Sequence, residues 1–339
     1  MTDASGARLA AAARLGAVVI GRNEGQRLRE CLASLAGRVA RLVYVDSGST
    51  DGSIALARQM GAEVVELDTT RPFTAARARN AGLAQLRVIG PELELVQFVD
   101  GDCEVAPGWI AQAVQAMGSD SAVAVVCGRR RERHPEATIY NRLCDIEWNT
   151  PVGLAESCGG DALMRIASWV EVGGFEAGLI AGAAPELCLR LRQRGHRILR
   201  IDAAMTLHDA NITRFGQWWK RTVRSGHGYA EGFALHRLEA ERFCAGQVRS
   251  NFVWGALVPL AGFGLLSFSP APAVGVLAGY SMLLVRVFRA ARRRGLSHRD
   301  ANLFAFSVVI GKVPSALGQV RYFWHRLLGR RSSLIEYKG

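Results

Sequence analysis

Residues 95–105 read Leu-Val-Gln-Phe-Val-Asp-Gly-Asp-Cys-Glu-Val, an apolar segment that ends in two carboxylates separated by one glycine. The pattern predicts a buried strand, Leu95–Val99, followed by a turn that aims Asp100 and Asp102 outward. Carboxylates are hard oxygen ligands, so two of them at one strand end can bind a divalent cation. The alternative is an ordinary hairpin turn, because Asp-Gly is a frequent hairpin signal.

A second predicted strand, upstream, also ends in an acid. Leu42–Val45 is apolar and runs into Asp46, which begins the sequence Asp-Ser-Gly-Ser-Thr-Asp-Gly. Ligands of open α/β sheets bind outside the carboxyl ends of the strands, so we expect Asp46, Asp100 and Asp102 to line one crevice. The alternative for Asp46 is a turn with a helix cap, since Asp, Ser and Gly all favour such positions.

Short apolar β patterns alternate with helical patterns in the first third of the chain. The predicted strands are Leu15–Ile20, Leu42–Val45, Glu63–Leu67, Leu95–Val99 and Ala122–Val126. Helices are predicted around Leu28–Leu35, at Ser53–Met60 and Thr74–Leu86, from Pro107 onward, and later at Pro185–Arg194. Such alternation is typical of an α/β fold with a mostly parallel sheet that helices cover on both faces.

The chain has 339 residues and a formal net charge of +12, which implies an anionic partner. Much of the positive charge is arginine that lies late in the chain beside apolar segments, as at Arg292–Arg294 and Arg330–Arg331. This arrangement favours phospholipid head groups at a cytoplasmic membrane face over a nucleic-acid groove. Seven scattered cysteines, none in a Cys-x-x-Cys pair, indicate a reducing compartment without structural zinc.

The chain becomes strongly apolar after Asn251. Phe252–Phe268 and Ala271–Val285 are each slightly shorter than the ~20 residues of a spanning helix, although flanking residues can extend them. We expect a helical hairpin through the bilayer, with its Ser269–Pro270 turn outside and the arginine cluster inside. A weakly apolar stretch, Asn302–Ile310, precedes a predicted interfacial helix at Gln319–Leu328. The alternative is a buried helical hairpin in a soluble protein.

Several short motifs occur in a characteristic order and spacing. They are Val18–Glu24, Val45–Gly52, Ala76–Gly82, Asp100–Asp102, Gly173–Phe175, Pro185–Arg190 and Leu207–Asp209. Each motif alone is a weak signal of a family. In this order and spacing, over about residues 15–230, the sequence resembles the inverting family 2 glycosyltransferases with the type A (GT-A) fold. The tail from Gly311 to Lys338 is also similar to that of membrane-attached bacterial members that work on exopolysaccharide or lipid-linked glycans.

The resemblance implies a nucleoside diphosphate sugar as donor and Mn²⁺ or Mg²⁺ as cofactor. A cation held by Asp102, the second acid of the DXD motif, would offset the charge that develops on the leaving phosphate. By analogy, Asp46 would bind the base or the ribose, and Asp100 would hold the ribose and support the metal site. His208 matches the position of a third metal contact, with a structural histidine as the alternative.

Two arginines of the predicted helix Thr74–Leu86 are candidates for binding the donor. Arg77 and Arg79 can face the diphosphate, since a guanidinium pairs with phosphate oxygens through two hydrogen bonds. The alternative is a solvated helix face. On the acceptor side, Trp148 and Trp169 can stack on sugar rings or belong to the core.

The catalytic base expected from the resemblance is missing. An inverting transfer needs a carboxylate to take the acceptor's proton, and in the family an acidic pair before a Leu-x-x-Arg helix supplies it. If Leu187–Arg190 sets the register, that pair falls on Ala183 and Ala184. Three explanations remain open: Glu186 acts as base in a shifted register, Asp161 takes the role from a facing loop, or the chain is a silenced variant that still binds donor.

The predicted organisation has four parts: a lead-in (1–14), a nucleotide-sugar-binding half (15–126), an acceptor-binding half (127–245) and C-terminal transmembrane or interfacial helices (246–339). Gln217–Arg221 departs from the Gln-x-x-Arg-Trp signature of processive synthases, so we expect transfer of a single sugar. The expected acceptor is lipid-linked or a polysaccharide, and the expected location is the bacterial inner membrane with the catalytic domain on the cytoplasmic side. The rivals are a non-catalytic donor-binding or assembly subunit and a basic nucleic-acid-binding protein.

Overall fold

The chain from Leu15 to His208 builds one nine-stranded sheet in the computed structural model, which describes residues 14–266 and 271–329. The strands are β1 Leu15–Gly21, β2 Arg41–Asp46, β3 Glu63–Glu66, β4 Leu95–Asp100, β5 Cys103–Val105, β6 Val123–Glu132, β7 Gly153–Ala155, β8 Ala162–Arg165 and β9 Arg197–His208. Residues 1–13 of the predicted lead-in, the Ser269–Pro270 turn and the tail from residue 330 lie outside the described residues.

The helices alternate with these strands and then continue alone. They are α1 Gln26–Leu35, α2 Ser53–Gln59, α3 Ala75–Ile89, α4 Trp109–Gly118, α5 Ile139–Glu147, α6 Ile166–Glu171, α7 Ala183–Gln193, α8 Phe215–Leu235, α9 Ala245–Phe252, α10 Val258–Leu266, α11 Ala271–Arg293, α12 His298–Ile310 and α13 Lys312–Leu327. A π-helical turn, Val253–Leu257, joins α9 to α10.

The described residues divide into two units. The sheet unit contains residues 14–133, 148–179 and 183–210, with all nine strands. The helical unit contains residues 134–147, 180–182 and the described residues from 211 onward, with α5 and α8 to α13. The division of the GT-A region at residue 126 and the boundary at 245 stay predictions.

The parallel part of the sheet is the part that the sequence predicts best. Strand β1 pairs in parallel with β2 and β4, and β2 pairs in parallel with β3. The register sets Gly21 opposite Asp46 and Ile20 opposite Asp100. The carboxyl ends of β1, β2 and β4 therefore lie side by side at one edge of the sheet. This is the edge at which open α/β sheets bind their ligands.

The other half of the sheet is mixed, so "mostly parallel" describes only β1 to β4. Strand β8 runs antiparallel to both β4 and β6, and β9 pairs in parallel with β6 but antiparallel to β5 and β7. The sequence pattern did not reveal this because β5 and β7 have three residues each and β8 has four. Strands this short leave too few alternating positions to read.

Local sequence signals explain the main helix boundaries of the sheet unit. The predicted apolar face of α1 is buried, with Leu28 and Leu35 fully covered. Helix α3 begins after Thr74, whose hydroxyl accepts a hydrogen bond from the Arg77 amide at 3.0 Å, as an N-cap does. Helix α7 begins at Ala183, two residues before the predicted start at Pro185, because proline is tolerated within a first helical turn.

Two helical stretches of the helical unit are long and apolar enough to cross a membrane. They are Ala273–Arg293 and His298–Leu327. Of the most apolar 18-residue segment of each stretch, 0% is buried in the first and 39% in the second. Large apolar side chains of α11 such as Val274, Leu277 and Met282 are about two-thirds exposed. Such exposure is unusual on the surface of a soluble protein. It favours lipid contact over the alternative of a buried soluble hairpin.

Helices α8 and α13 cross at very short range because both contribute glycines. A methyl group added to Gly226 would overlap the carbonyl oxygen of Ser315, and one added to Gly318 would overlap that of Val223. We expect Gly226→Ala to lower stability by about 1–3 kcal/mol or more, because backbone atoms cannot move aside. Thermal unfolding of the detergent-solubilised chain measures this effect.

The matched control for that substitution is Gly216→Ala in the same helix. No atom of residues 14–266 or 271–329 lies within 4 Å of a methyl group added at Gly216, apart from its chain neighbours and its own helix backbone. Its stability should stay within about 0.5 kcal/mol of the parent. Equal stability of the Gly226→Ala and Gly216→Ala proteins would contradict the observed helix crossing.

Candidate functional site

Asp46, at the end of β2, organises the loop that follows it. Its side chain is 1% exposed and accepts hydrogen bonds from the Tyr44 hydroxyl at 3.0 Å and from the amides of Gly48 and Ser49 at 2.8 and 2.7 Å. The carboxylate thus fixes two backbone amides in the loop after β2. This is the turn-forming role that the sequence offered as the alternative for Asp46, at the strand end where a donor site is expected.

The loops after β1 and β2 are joined to each other. Asn23 has a left-handed backbone, φ 55°, and its side-chain oxygen accepts from the Thr50 amide at 2.7 Å, while its own amide donates to Ser49 Oγ at 2.9 Å. Asp51 accepts from the Gly25 amide at 3.0 Å. The two loops therefore form one preorganised polar surface at the carboxyl edge of the sheet.

Asp100, at the end of β4, lies between two arginines. Its carboxylate is 2.5 Å from Arg79 Nη2 and 3.2 Å from Arg130 Nη2. Burial alone would raise the pKa of Asp100, but these guanidinium groups lower it below the ordinary value. Gly160 permits the arrangement, since a methyl group there would overlap Arg79 Nη2. Asp100 is therefore held ionised, with its charge compensated from within the sheet unit.

Asp161 lies beneath this ion cluster and is completely buried. Its Oδ1 accepts from the Asp100 amide at 3.0 Å, its Oδ2 accepts from the Thr206 hydroxyl at 2.8 Å, and Arg130 Nε is 3.6 Å away. A base must reach the proton that it removes. With both oxygens engaged and no exposed surface, Asp161 is arranged to position Asp100 and Arg130, and this geometry does not support its predicted role as base.

Asp102 and His208 form a close pair next to the cluster. Asp102 Oδ2 is 3.2 Å from His208 Nε2, and both side chains are about 5% exposed. The antiparallel pairing of β5 with β9 sets Cys103 opposite His208, and a ligand atom of each of Asp102, Cys103 and His208 lies within 4.8 Å of the others. Glu132 Oε2 lies 3.7 Å from His208 Nδ1, on the far side of the ring.

The donor atoms of this pair suit a divalent cation. Carboxylate oxygen and imidazole nitrogen are common ligands of first-row metals, and a carboxylate behind a histidine orients the ring for binding. Burial raises the pKa of the Cys103 thiol well above its ordinary value, so the sulfur is neutral while no cation is bound. Asp102 and His208 are thus the residues that could hold the predicted metal.

Trp148 closes one side of the site. Its ring meets the His208 ring edge-on, with centroids 4.7 Å apart, and the Arg130 guanidinium lies 4.8 Å above it. Trp169 lies elsewhere in the sheet unit and packs against Phe175, with ring centroids 6.4 Å apart. Of the two tryptophans predicted to face an acceptor, Trp148 is the one that contacts a candidate site residue.

The structure separates the two predicted donor arginines. Arg79 is 5% exposed and paired with Asp100, whereas Arg77 donates to the carbonyl oxygens of Asp68 at 2.8 Å and Arg71 at 3.0 Å. Arg77 therefore fastens the loop before α3. Neither arginine presents a solvated helix face, and contact with a diphosphate stays a prediction for both.

Glu186 is bound within α7 and is 1% exposed. Arg190 donates to both of its carboxylate oxygens at 2.7 Å and also donates to the carbonyl oxygens of Val172 and Gly174. The ion pair thus ties α7 to the Gly-Gly turn before Phe175. Because Glu186 is buried and doubly hydrogen-bonded, the geometry does not support its predicted role as base either.

Two neighbours of the site were not anticipated from the sequence. Arg130 belongs to a run of three arginines in β6, and Cys103 follows Asp102 directly. An arginine or a cysteine in a strand is not marked by its residue type as part of a site. The signal that could have found Arg130 is electrostatic, since a strand-end acid in a buried crevice needs a compensating cation.

Residues 17–156 match the family described as glycosyl transferase family 2. The succinoglycan biosynthesis protein ExoA of Rhizobium meliloti (strain 1021) is 27% identical over 225 residues, which cover 62% of this chain and 66% of that protein. The pre-mycofactocin glycosyltransferase of Mycobacterium tuberculosis is 25% identical over 221 residues, 60% of this chain and 44% of that protein. The chain thus spans just under two thirds of the first relative and under half of the second.

A solved structure has a similar fold over almost the whole chain. It is the mannosyltransferase PcManGT from Pyrobaculum calidifontis in complex with GDP-Man and Mn²⁺. The match has a TM-score of 0.63 at 18% identity and covers 92% of this chain and 88% of that one. The chain therefore contains a glycosyl transferase family 2 domain and has a GT-A-like fold.

Proposed function

We propose that this protein is a membrane-associated, metal-dependent, inverting glycosyltransferase that moves one sugar from a nucleoside diphosphate donor to a lipid-linked or polysaccharide acceptor. The observation that carries the proposal is the Asp102–His208 pair, 3.2 Å apart, beside the charge-compensated Asp100. The similarity to ExoA, whose name refers to succinoglycan biosynthesis, supports exopolysaccharide assembly as the setting. Transfer of a single sugar, inversion and the acceptor class are parts of the proposal.

The residues of the sheet unit would divide the work of binding the donor. Asp102, as the second acid of the DXD motif, and His208 would hold Mn²⁺ or Mg²⁺, which supplies positive charge to the leaving diphosphate when bound. Asp46 keeps the loop after β2 in the shape that binds the base or ribose. Arg79 and Arg130 keep Asp100 ionised for the ribose and restrict its position.

The helical unit supports attachment to a membrane. Helix α11 is apolar over most of its length and ends in Arg292 and Arg293. Arginine next to the end of a spanning helix favours the cytoplasmic side. We place the protein in the bacterial inner membrane, with the sheet unit in the cytoplasm, where it would meet a nucleoside diphosphate sugar.

A second function is favoured by the position of the alanine pair. Ala183 and Ala184 form the start of α7 and are 7% and 6% exposed, while Glu186 and Asp161 are both bound elsewhere. A chain without a base for the acceptor would bind donor and metal but turn over slowly. This candidate is a donor-binding, non-catalytic subunit of a glycan-synthesis complex.

Restoring an acid at the start of α7 separates the two functions. General-base catalysis typically contributes about 10²–10⁴-fold, so Ala183→Glu or Ala184→Glu should raise acceptor-dependent transfer at least about tenfold in a silenced chain. The assay supplies UDP- and GDP-sugars, Mn²⁺ and a bacterial lipid extract as acceptor, and follows release of the nucleoside diphosphate.

The matched control is Ala167→Glu, which adds the same side chain at an exposed position of α6. It should leave the rate unchanged. Measurable transfer by the parent chain, with no gain in either alanine variant, would sink the non-catalytic function and support the enzyme. Donor binding without transfer in the parent, followed by a gain in one variant, would support the silenced chain.

A further inference from the structure

The helical unit contains an apolar groove that the donor site does not use. It has a volume of about 790 Å³, within the range of pockets that hold small ligands. Helices α8, α9 and α13 form its walls. The apolar side chains that line it include Phe233, Val248, Phe252, Phe323 and Leu327.

The groove is also lined by two cationic side chains. Arg242 lies three residues before α9 begins, Arg249 lies in the last turn of α9, and both line the groove. Both are exposed, and no carboxylate side chain is among the described residues that line the groove. An apolar groove with two guanidinium groups in its lining complements a ligand that is apolar over most of its length and anionic at one end.

A buried amide without a partner marks the same groove. Gln319 of α13 lines it, is 2% exposed, and neither its Nε2 nor its Oε1 has a hydrogen-bond partner among the described residues. Buried polar side chains are almost always hydrogen-bonded, because an unsatisfied group is costly. An unpaired amide in an otherwise apolar wall indicates a missing polar ligand group.

We propose that this groove binds a long-chain lipid with a phosphate head, its chain between α8, α9 and α13 and its phosphate among Arg242, Arg249 and Gln319. This lipid would be the acceptor, and to that extent the inference rests on the proposed function. The exposed apolar helices of the same unit supply the route, since a lipid can enter sideways from a bilayer without crossing water.

Photocrosslinking with hexadecyl phosphate that carries a diazirine at its chain end tests the groove directly. The full chain is solubilised in detergent without nucleotide or metal, and labelled peptides are mapped by mass spectrometry. We expect labels in α9 and α13, competition by hexadecyl phosphate at least about tenfold better than by hexadecanol, and no competition by inorganic phosphate. Equal competition by hexadecanol, competition by inorganic phosphate, or labels confined to α11 would overturn the proposal.

Substitutions of the head-group residues provide the second arm. The double variant Arg242→Gln and Arg249→Gln should weaken binding of hexadecyl phosphate about tenfold or more and leave hexadecanol unaffected. The control is Arg289→Gln and Arg293→Gln, two exposed arginines of α11 outside the groove, which should change neither affinity. Loss of affinity in both double variants alike would indicate non-specific attraction and contradict the site.

Gln319→Leu distinguishes a ligand role from a structural one because the two readouts should move in opposite directions. Removal of an unsatisfied buried amide should raise the melting temperature of the unliganded protein, while the affinity for hexadecyl phosphate should fall about tenfold. A lower melting temperature with unchanged affinity would sink the proposal. These measurements need neither nucleotide nor metal. A failure of lipid binding can therefore be told apart from a failure of donor binding.

Discussion

Asp161→Ala is expected to destabilise the protein by about 3–5 kcal/mol, the largest stability effect that we anticipate in the sheet unit. The substitution removes at once the acceptor of the Asp100 amide, the acceptor of the Thr206 hydroxyl and a charge 3.6 Å from Arg130. Arg130 would keep Asp100 as a partner but lose the carboxylate beneath it. Chemical unfolding followed by circular dichroism measures the loss.

Two further variants distinguish positioning from catalysis at Asp161. Asp161→Asn keeps an oxygen for the Asp100 amide and should lose less stability than Asp161→Ala. Asp202→Ala removes an exposed acid from the same sheet, and its stability should stay within about 0.5 kcal/mol of the parent. If Asp161→Asn were fully stable and bound nucleotide normally, yet lost all transfer, the base role would be restored.

Asp102→Asn is expected to weaken metal-dependent binding of the nucleoside diphosphate by about 10²–10³-fold. Asparagine has the shape of aspartate but lacks the negative charge that would hold the cation. It can still fill the space beside His208, which is 5% exposed. Stability should therefore change little. Titration of UDP and GDP in saturating Mn²⁺, against the same titration in EDTA, measures the effect.

The control for Asp102→Asn is Asp202→Asn, which makes the same chemical change at an exposed position of β9. It should bind nucleotide like the parent. An Asp102→Asn protein that kept its Mn²⁺-dependent affinity would show that another group holds the cation. His208→Ala should have a smaller effect than Asp102→Asn, because a neutral imidazole contributes less to a hard divalent cation than a carboxylate does.

The elements that the sequence predicted well are those with long, regular patterns. The apolar strands ending at Asp46 and Asp100, the buried face of α1 and the helix that begins next to Thr74 all follow from residue types that act locally. The antiparallel half of the sheet did not follow, because a three-residue strand such as β7 is specified by its tertiary partners.

The candidate site was only partly readable for a different reason. Residue type and spacing indicate where acids cluster, but they do not indicate which carboxylates are already paired with an arginine. Asp100 is compensated by Arg79 and Arg130, and Glu186 by Arg190, whereas Asp102 faces a histidine that can share a metal. Arg130 comes from β6, which is neighbour to β8 and β9, so its contact with Asp100 depends on the mixed topology that the sequence did not reveal.

Calorimetric titration of the full chain with UDP, GDP, ADP, CDP and dTDP, once with Mn²⁺ and once with EDTA, tests whether the donor site depends on a metal. We expect at least one of these nucleotides to bind with Mn²⁺, and we expect its binding to be lost in EDTA and in Asp102→Asn. Equal binding in Mn²⁺ and EDTA, or no binding of any of them, would contradict a metal-dependent donor site at Asp102 and His208.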